Sequence, residues 1–391
     1  VTDPVQLLSE RIDRLLAEHD TSNVQEFLGA RFDAGLAWVH FPEGHGGLGL
    51  PREYNDFVNT RLAEAGAPGP DTNGNGIGLG MVAPTLIAKG TEEQQNKYLR
   101  PLYTSEEIWC QLFSEPGAGS DLAAVSTRAV LDGDTWTVNG QKVWTSVAHQ
   151  AQRAILVART DIEVPKHAGM TYFLVDMSDP GVEVRPLRQI TGEAEFNEVF
   201  LQDVKIPDAD RVGETGEGWR VANATLNNER VAIGAGADRE AGQIGLLARQ
   251  WRENPQLRTP AAQQEILHWW VETEVTRLVG ERVRQQLEVG QPGPESSALK
   301  LAFATQAQAV TGVALELDPD AGLVYEDWEL RRPTKADFLG RDAGFRYLRA
   351  KGNSIEGGSS EIMRNVVAER VLGLPQEARP DKGIPFKDVP R

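Results

Sequence analysis

A chain of 391 residues, 40% hydrophobic and 25% charged, is long enough for two or three compact units with a sizeable core. Its 57 acidic and 40 basic side chains leave a formal net charge of −17. That balance argues against nucleic acid and anionic membranes as partners, while leaving room for an anionic small substrate held by local basic groups.

The single cysteine, Cys110, rules out an intramolecular disulfide, and no apolar run is long enough to span a bilayer. The charged, amphipathic start VTDPVQLLSERIDRLL lacks the continuous apolar stretch of a signal peptide, so the expected location is a reducing cytoplasm. Residues 1–108 have a helical pattern. Val5, Leu8, Ile12, Leu15 and Leu16 form one stripe of an amphipathic helix. PEGHGGLGLP is a glycine-rich loop, after which Pro51 can open a helix through Ala65. His40, Glu43 and His45 around that loop read as loop residues, and no metal site is expected. A second loop, Ala67–Gly80, lacks the spacing of a dinucleotide fingerprint. Thr91-Glu92-Glu93-Gln94 is a capping box that opens the helix leading to Cys110.

The texture then changes. Thr127–Leu131, Thr135–Val138, Lys142–Ser146, Ala154–Arg159, Thr171–Asp176, Val182–Arg188 and Glu198–Lys205 are short runs of strand composition. Asp132-Gly133, Asn139-Gly140 and Asp179-Pro180-Gly181 read as the turns between them, with Asn-Gly as a hairpin signal. An antiparallel sandwich or barrel over 109–213 is expected. Helices return after Val212-Gly213-Glu214: one long helix over Trp219–Arg252, one from Thr259-Pro260 to Val289, one over Glu295–Leu317 and a last one over Glu361–Leu372. Asp318–Gly340 reads as irregular, and residues 375–391 as a loosely packed tail. The expected fold is α+β and multidomain. It has a helical domain (1–108), a middle β-domain (109–213), a C-terminal four-helix bundle (214–374) and a tail.

The most informative stretch is CQLFSEPGAGSDLAAVS, Cys110–Ser126. Gly117, Ala118 and Gly119 let backbone approach a flat or phosphorylated ligand, and Ser114 and Ser120 supply hydroxyls on either side. The plainer reading is a strand-to-loop turn with Asp121 as an N-cap. The stretch closely resembles the flavin-binding signature of acyl-CoA dehydrogenases, and the helical–β–helical order of the chain matches that family. The resemblance implies FAD. It also implies a flavin ring contacted by Gln111, Leu112, Phe113 and Ser114 and by Trp144, Thr145 and Ser146, with Gly119 and Ser120 as further cofactor-binding residues. Ser359, Ser360 and Glu361 would approach the FAD phosphates or ribityl chain, although a carboxylate is an odd neighbour for phosphate. Ser120, Asn227 and Arg230 would contact an acyl-CoA, and the N–H near Gly357 would polarise its thioester carbonyl.

Abstraction of an α-proton needs a carboxylate. Glu229, in LNNER, falls where branched- and long-chain members of the family keep their base, and Glu356, in SIEGGSSE, is the backup. The family's adenine-end motifs are altered here. REAGQIGLLARQWREN has no arginine–phenylalanine pair, and VALELDPDAG carries Asp318 and Asp320 where glycines are usual. The chain is similar in this respect to subunits of actinobacterial heteromeric acyl-CoA dehydrogenases that act on steroid side chains. The resemblance therefore implies an electron-accepting flavoprotein and either a homo-oligomer or a heterotetramer with a related subunit. The activity the resemblance implies is α,β-desaturation of an acyl-CoA thioester, by α-proton abstraction and hydride transfer from the β carbon to flavin N5. Two other readings stand beside it: a flavin-dependent hydroxylase or oxidase of the same fold, and a non-catalytic partner subunit.

Overall fold

Three of the N-terminal helices start where a polar side chain, Asp3, Asn23 or Thr91, supplies a cap. Asp3 accepts from the Val5 N–H ahead of α1 (Pro4–Glu18), whose Leu8, Ile12 and Leu15 are buried. α2 (Val24–Asp33), α3 (Tyr54–Glu64) and α4 (Ala83–Lys89) follow, and α5 (Glu92–Tyr103) opens with the full Thr91–Gln94 capping box. Leu8, Ile12, Phe27, Leu36, Val39, Val58 and Leu62 make the core of these helices. The computed structural model describes residues 3–234, 240–289, 294–322, 324–325, 328–335, 337 and 339–390, with backbone alone at 228–234, 287–289 and 321.

Buried Asn75 links the helices to the first strand. Its Nδ2 donates to the Leu102 and Glu107 carbonyls, and its Oδ1 accepts from the Trp109 N–H. The strands are β1 (Trp109–Leu112), β2 (Arg128–Asp132), β3 (Thr135–Ser146), β4 (Arg153–Arg159), β5 (Met170–Asp176), β6 (Val182–Pro186), β7 (Phe196–Pro207) and β8 (Arg211–Val212). They form one sheet in the order β6-β7-β3-β2-β4-β5-β8, with β1 added parallel to β4. The other pairings are antiparallel except β2–β4. Cys110, Leu112, Trp136, Leu156, Phe173, Val199 and Ile206 lie in its apolar core.

Asn139-Gly140 is not a hairpin turn, and Thr135–Val138 and Lys142–Ser146 are one strand. The dipeptide sits inside β3 at a register shift against β7. Asn139 and Asp203 exchange two hydrogen bonds of 2.9 Å across the irregularity, and Asp203 takes φ +53. Gly140 is needed for close approach: a Cβ there would stand 2.3 Å from Thr127 Oγ1.

The residues divide into two compact units. The first comprises Val1–Pro186, Phe196–Thr225 and Asp381–Arg391, and the second Leu187–Glu195 and Leu226–Pro380. In the second, α9 (Ser296–Leu317) packs on α7 (Gly242–Glu253), α8 (Pro260–Val289), α11 (Ala343–Ala350) and α12 (Ser360–Val366), with the short α10 (Pro319–Gly322) between α9 and α11. Ile244, Leu247, Ile266, Val310 and Val313 form that core, with Trp251, Trp269 and Trp270 packed against it. The expected single helix over 219–252 is two: α6 (Gly218–Gly234) ends before α7, which begins after left-handed Glu240 and extended Ala241, with Gly242 at φ +69. Residues 235–239 lie outside the described part. The tail is also not uniformly loose. Phe386 is buried in the first unit, and its N–H donates to the Val164 carbonyl. Among the described residues no helix is long and apolar enough to cross a membrane.

Candidate active site

β1 carries Gln111 and buried Leu112, and Phe113 follows, packed edge-on to Tyr172. The Ser114 carbonyl then accepts from the Val143 N–H at 2.9 Å. That bond places the 111–114 segment beside 144–146, so two stretches distant in sequence meet in one place. Beyond it Glu115 and Ala118 exchange backbone hydrogen bonds around an exposed turn, and a Cβ on Gly117 or Gly119 would meet nothing within 4 Å. Ser120 and Gly119 are exposed with it. The turn has an open face at which a ligand can meet backbone directly.

Trp144 stands on the neighbouring edge. It is 58% exposed, stacks edge-on to Phe196 at 5.8 Å and adopts φ +60 at the β3–β7 register shift between Lys142 and Thr145. A bulky side chain in the left-handed region is strained by roughly 1–3 kcal/mol, and such strain concentrates where ligands bind. Next to it Thr145 is fully buried, its Oγ1 without a hydrogen-bond partner, while its carbonyl accepts from Asn197 Nδ2 at 3.0 Å. Ser146 is half-buried opposite Phe196. An open glycine turn, an exposed indole held in a strained backbone and an orphaned buried hydroxyl suit a flat heterocycle with polar edges.

The turn is held from behind by charge. Lys142, fully buried, donates to the Phe113 carbonyl (2.9 Å), Glu115 Oε1 (2.8 Å) and the Val157 carbonyl (2.8 Å). Glu115 also accepts from the N–H groups of Ser126 and Thr127 and from the Ser126 hydroxyl. Burial by itself would raise the Glu115 carboxyl; Lys142 and the Thr127 and Ser126 donors outweigh it and hold it at about 2. Burial lowers the Lys142 ammonium to about 8, with Glu115 opposing that fall. The pair is thus ionised at neutral pH. Asp121 does not cap a helix; it accepts from Lys166 Nζ at 2.6 Å. Sequence reasoning missed Glu115, Lys142 and Lys166. The only signal was a lysine within a run of strand composition.

In the second unit Asn227 lies exposed on α6, and Glu229 and Arg230 follow it on the same helix, their side chains outside the described part. Glu356 accepts from Asn353 Nδ2 at 2.6 Å and from Arg349 at 3.2 and 3.4 Å. Buried Arg349 also reaches Glu195 at 3.0 Å. Burial raises the Glu195 carboxyl, Arg349 opposes the rise, and neighbouring Glu356 and Glu193 add to it. Gly357 and Gly358 take φ +63 and +96, and Lys300 Nζ ties the Asn353 and Gly358 carbonyls together. Ser359 caps α12 by accepting from the Ile362 N–H; Ser360 begins that helix and Glu361 lies in its first turn, 3.8 Å from Arg364.

Family models agree with this architecture along nearly the whole chain. The acyl-CoA dehydrogenase N-terminal domain matches residues 5–106, the middle domain 110–204 and the C-terminal domain 216–372. The chain belongs to the acyl-CoA dehydrogenase family. It is 40% identical over 351 residues to the acyl-CoA dehydrogenase IpdE1 of Mycobacterium tuberculosis, covering 88% of this chain and 86% of that one. Among solved structures, the steroid ACAD Tcur3481-Tcur3483 superposes with a TM-score of 0.74 at 25% identity, covering 96% of this chain and 99% of that one. The ChsE4-ChsE5 complex from Mycobacterium tuberculosis gives 0.70 at 26% identity, again covering 96% and 99%. Members of the acyl-CoA dehydrogenase family are FAD-binding flavoproteins, and the turn, the indole and the orphan hydroxyl described above fit that group.

Proposed function

We propose that the chain desaturates an acyl-CoA thioester between its α and β carbons. The observation that carries this reading is the apposition of Ser114 with Val143 and Trp144, which joins the two segments that the family resemblance assigns to one flavin ring. When bound, FAD supplies a two-electron acceptor for the hydride leaving the β carbon. Gln111–Ser114, Gly119 and Ser120 would hold it from one side, and Trp144–Ser146 from the other. Ser120, Asn227 and Arg230 would orient the coenzyme A arm, and the backbone near Gly357 would donate to the thioester oxygen, where negative charge develops.

Glu229 is the proposed base, taking the α-proton. Its rival Glu356 is already engaged by Arg349 and Asn353, which tie its carboxylate to their own turn. Glu229→Gln should retain folding and ligand binding while slowing flavin bleaching about a hundredfold to ten-thousandfold in single-turnover experiments. Glu356→Gln should leave most of the rate. The opposite ranking would move the base to Glu356.

A heteromer of this chain with a related subunit is also proposed. The altered adenine-end region motivates it: Asp318 and Asp320 stand at the end of α9 and in α10, where carboxylates disfavour a pyrophosphate. The two-component names of the steroid ACAD and ChsE4-ChsE5 relatives support it. The same observation favours a second reading, a subunit that completes a partner's flavin site without catalysing. Absorption spectra of the purified chain, alone and with a candidate partner, separate the two: a visible flavin band bleached anaerobically by an acyl-CoA is expected. A chain that takes up no FAD in either state would overturn the flavin-site reading.

A further inference from the structure

The segment between Glu115 and Thr127 has an open face of glycines, but its back is fixed by side chains from three places in the first unit. Lys142 holds Glu115, which holds Ser126 and Thr127. Arg159, 2% exposed, donates to the carbonyls of Ala123 and Val125 and to that of Lys166. Lys166 itself is buried and reaches Asp121 Oδ2, one residue after Ser120. Two of these anchors are completed from the far end of the chain. Asp381 Oδ2 stands 2.6 Å from Lys166 Nζ, so this buried ammonium has a carboxylate on either side. Buried Phe386 lies under the Arg159 guanidinium at 3.8 Å. The segment is seated by main-chain bonds as well: the N–H groups of Phe386 and Lys387 donate to the carbonyls of Val164 and Ile162, and Pro385 bridges Pro165.

We propose that residues 381–389 are a positioning strap for the ligand-facing turn at 117–121. The strap touches no ligand. It neutralises Lys166 and stacks Phe386 on the Arg159 guanidinium, and these two cations fix Asp121, Ala123 and Val125. Without it, Lys166 would face Asp121 alone and could turn toward solvent, and the guanidinium would lose its desolvating lid; the turn would then sample a wider range of geometries. The consequence for cofactor binding rests on the flavin reading above, whereas the consequence for the turn does not.

The experiment compares the full chain with a truncation lacking residues 381–391 and with Asp381→Asn, Phe386→Leu and the conservative Asp381→Glu. Hydrogen exchange is followed at the bonded amides of Ala124–Thr127 and, as an internal control, at those of β4 and β5; FAD binding is followed by flavin fluorescence. Truncation should speed exchange at 124–127 and weaken FAD binding by about tenfold each, with β4 and β5 unchanged. Asp381→Asn and Phe386→Leu should follow in the same direction by about threefold, and Asp381→Glu should stay near the full chain. If the truncated chain does not fold, the point variants decide. Unchanged exchange at 124–127, or an equal rise in β4 and β5, would overturn the strap. If the full chain binds no FAD even with a related subunit, the flavin reading fails, and exchange at 124–127 still decides for or against the strap.

Discussion

Two glycine turns, residues 115–121 of the first unit and 353–358 of the second, are built around a buried lysine that gathers backbone carbonyls. Lys142 binds those of Phe113 and Val157, and Lys300 those of Asn353 and Gly358. They differ in their glutamates. Glu115 is buried and is itself the counterion of Lys142, and it also takes three donors from Ser126 and Thr127. Glu356 is 37% exposed and shares Arg349 with Glu195. The first carboxylate is fixed structure with no capacity left for proton transfer; the second belongs to a half-open cluster in which charge is shared. A glutamate next to a glycine turn is therefore no guide to a base. What matters is how many donors it already has.

The comparison breaks first at the lysines. Lys142→Met leaves Glu115 buried without its cation, and removing one partner of a buried pair costs about 3–5 kcal/mol. Lys300→Met removes hydrogen bonds to two carbonyls, a loss of about 1–3 kcal/mol. Urea unfolding of both variants should rank them in that order. Equal losses would mean that carbonyl gathering, not the ion pair, is what Lys142 contributes.

Acid titration sharpens the same contrast with a smaller effect. Glu115 sits at about 2 in the folded chain against an ordinary 4.5, so the unfolded chain binds more protons between those values. Stability from this group is complete above about 4.5 and is lost as pH falls toward 2. Lys142 sits at about 8 against 10.5, which again gives the unfolded chain more protons, so stability from this group rises as pH climbs from 8 to 10.5. Both signs agree, and Lys142→Met should flatten the alkaline limb. An alkaline limb unchanged in the variant would assign it to other groups.

Much of the scaffold was legible because its signals are local. The Thr91 capping box and the Thr259-Pro260 start appear where spacing places them, with Thr259 Oγ1 accepting from the Ala262 N–H. The glycine turn was legible as a run of small residues between hydroxyls. Its supports were not: Glu115 and Lys142 are 27 positions apart and Asp121 and Lys166 are 45, and charged residues in isolation read as solvated surface. The Asn139-Gly140 pair misled for a related reason. Its turn chemistry is genuine, but Asp203 across the sheet uses it for a bulge. The packed end of the tail was hidden because its partners, Arg159 and Lys166, lie more than 200 positions earlier.

The smallest expected effect concerns Trp144, where stability should barely move while binding falls. Its φ of +60 is a conformation glycine adopts without penalty, and its side chain is more than half exposed, with Phe196 as its aromatic neighbour. Trp144→Gly removes a left-handed strain of about 1–2 kcal/mol and gives up an aromatic contact of about 0.5–1.5 kcal/mol, so the ligand-free protein should change by less than about 1 kcal/mol. If the indole is there to meet a flat ligand, FAD affinity should nonetheless fall, by about tenfold, because an aromatic wall is lost where no other large exposed aromatic is held at that register shift. Thermal melting without FAD and a fluorescence titration with it separate the two quantities. A variant that loses stability while binding FAD unchanged would make Trp144 a packing residue, and the strain at that position would then need another cause.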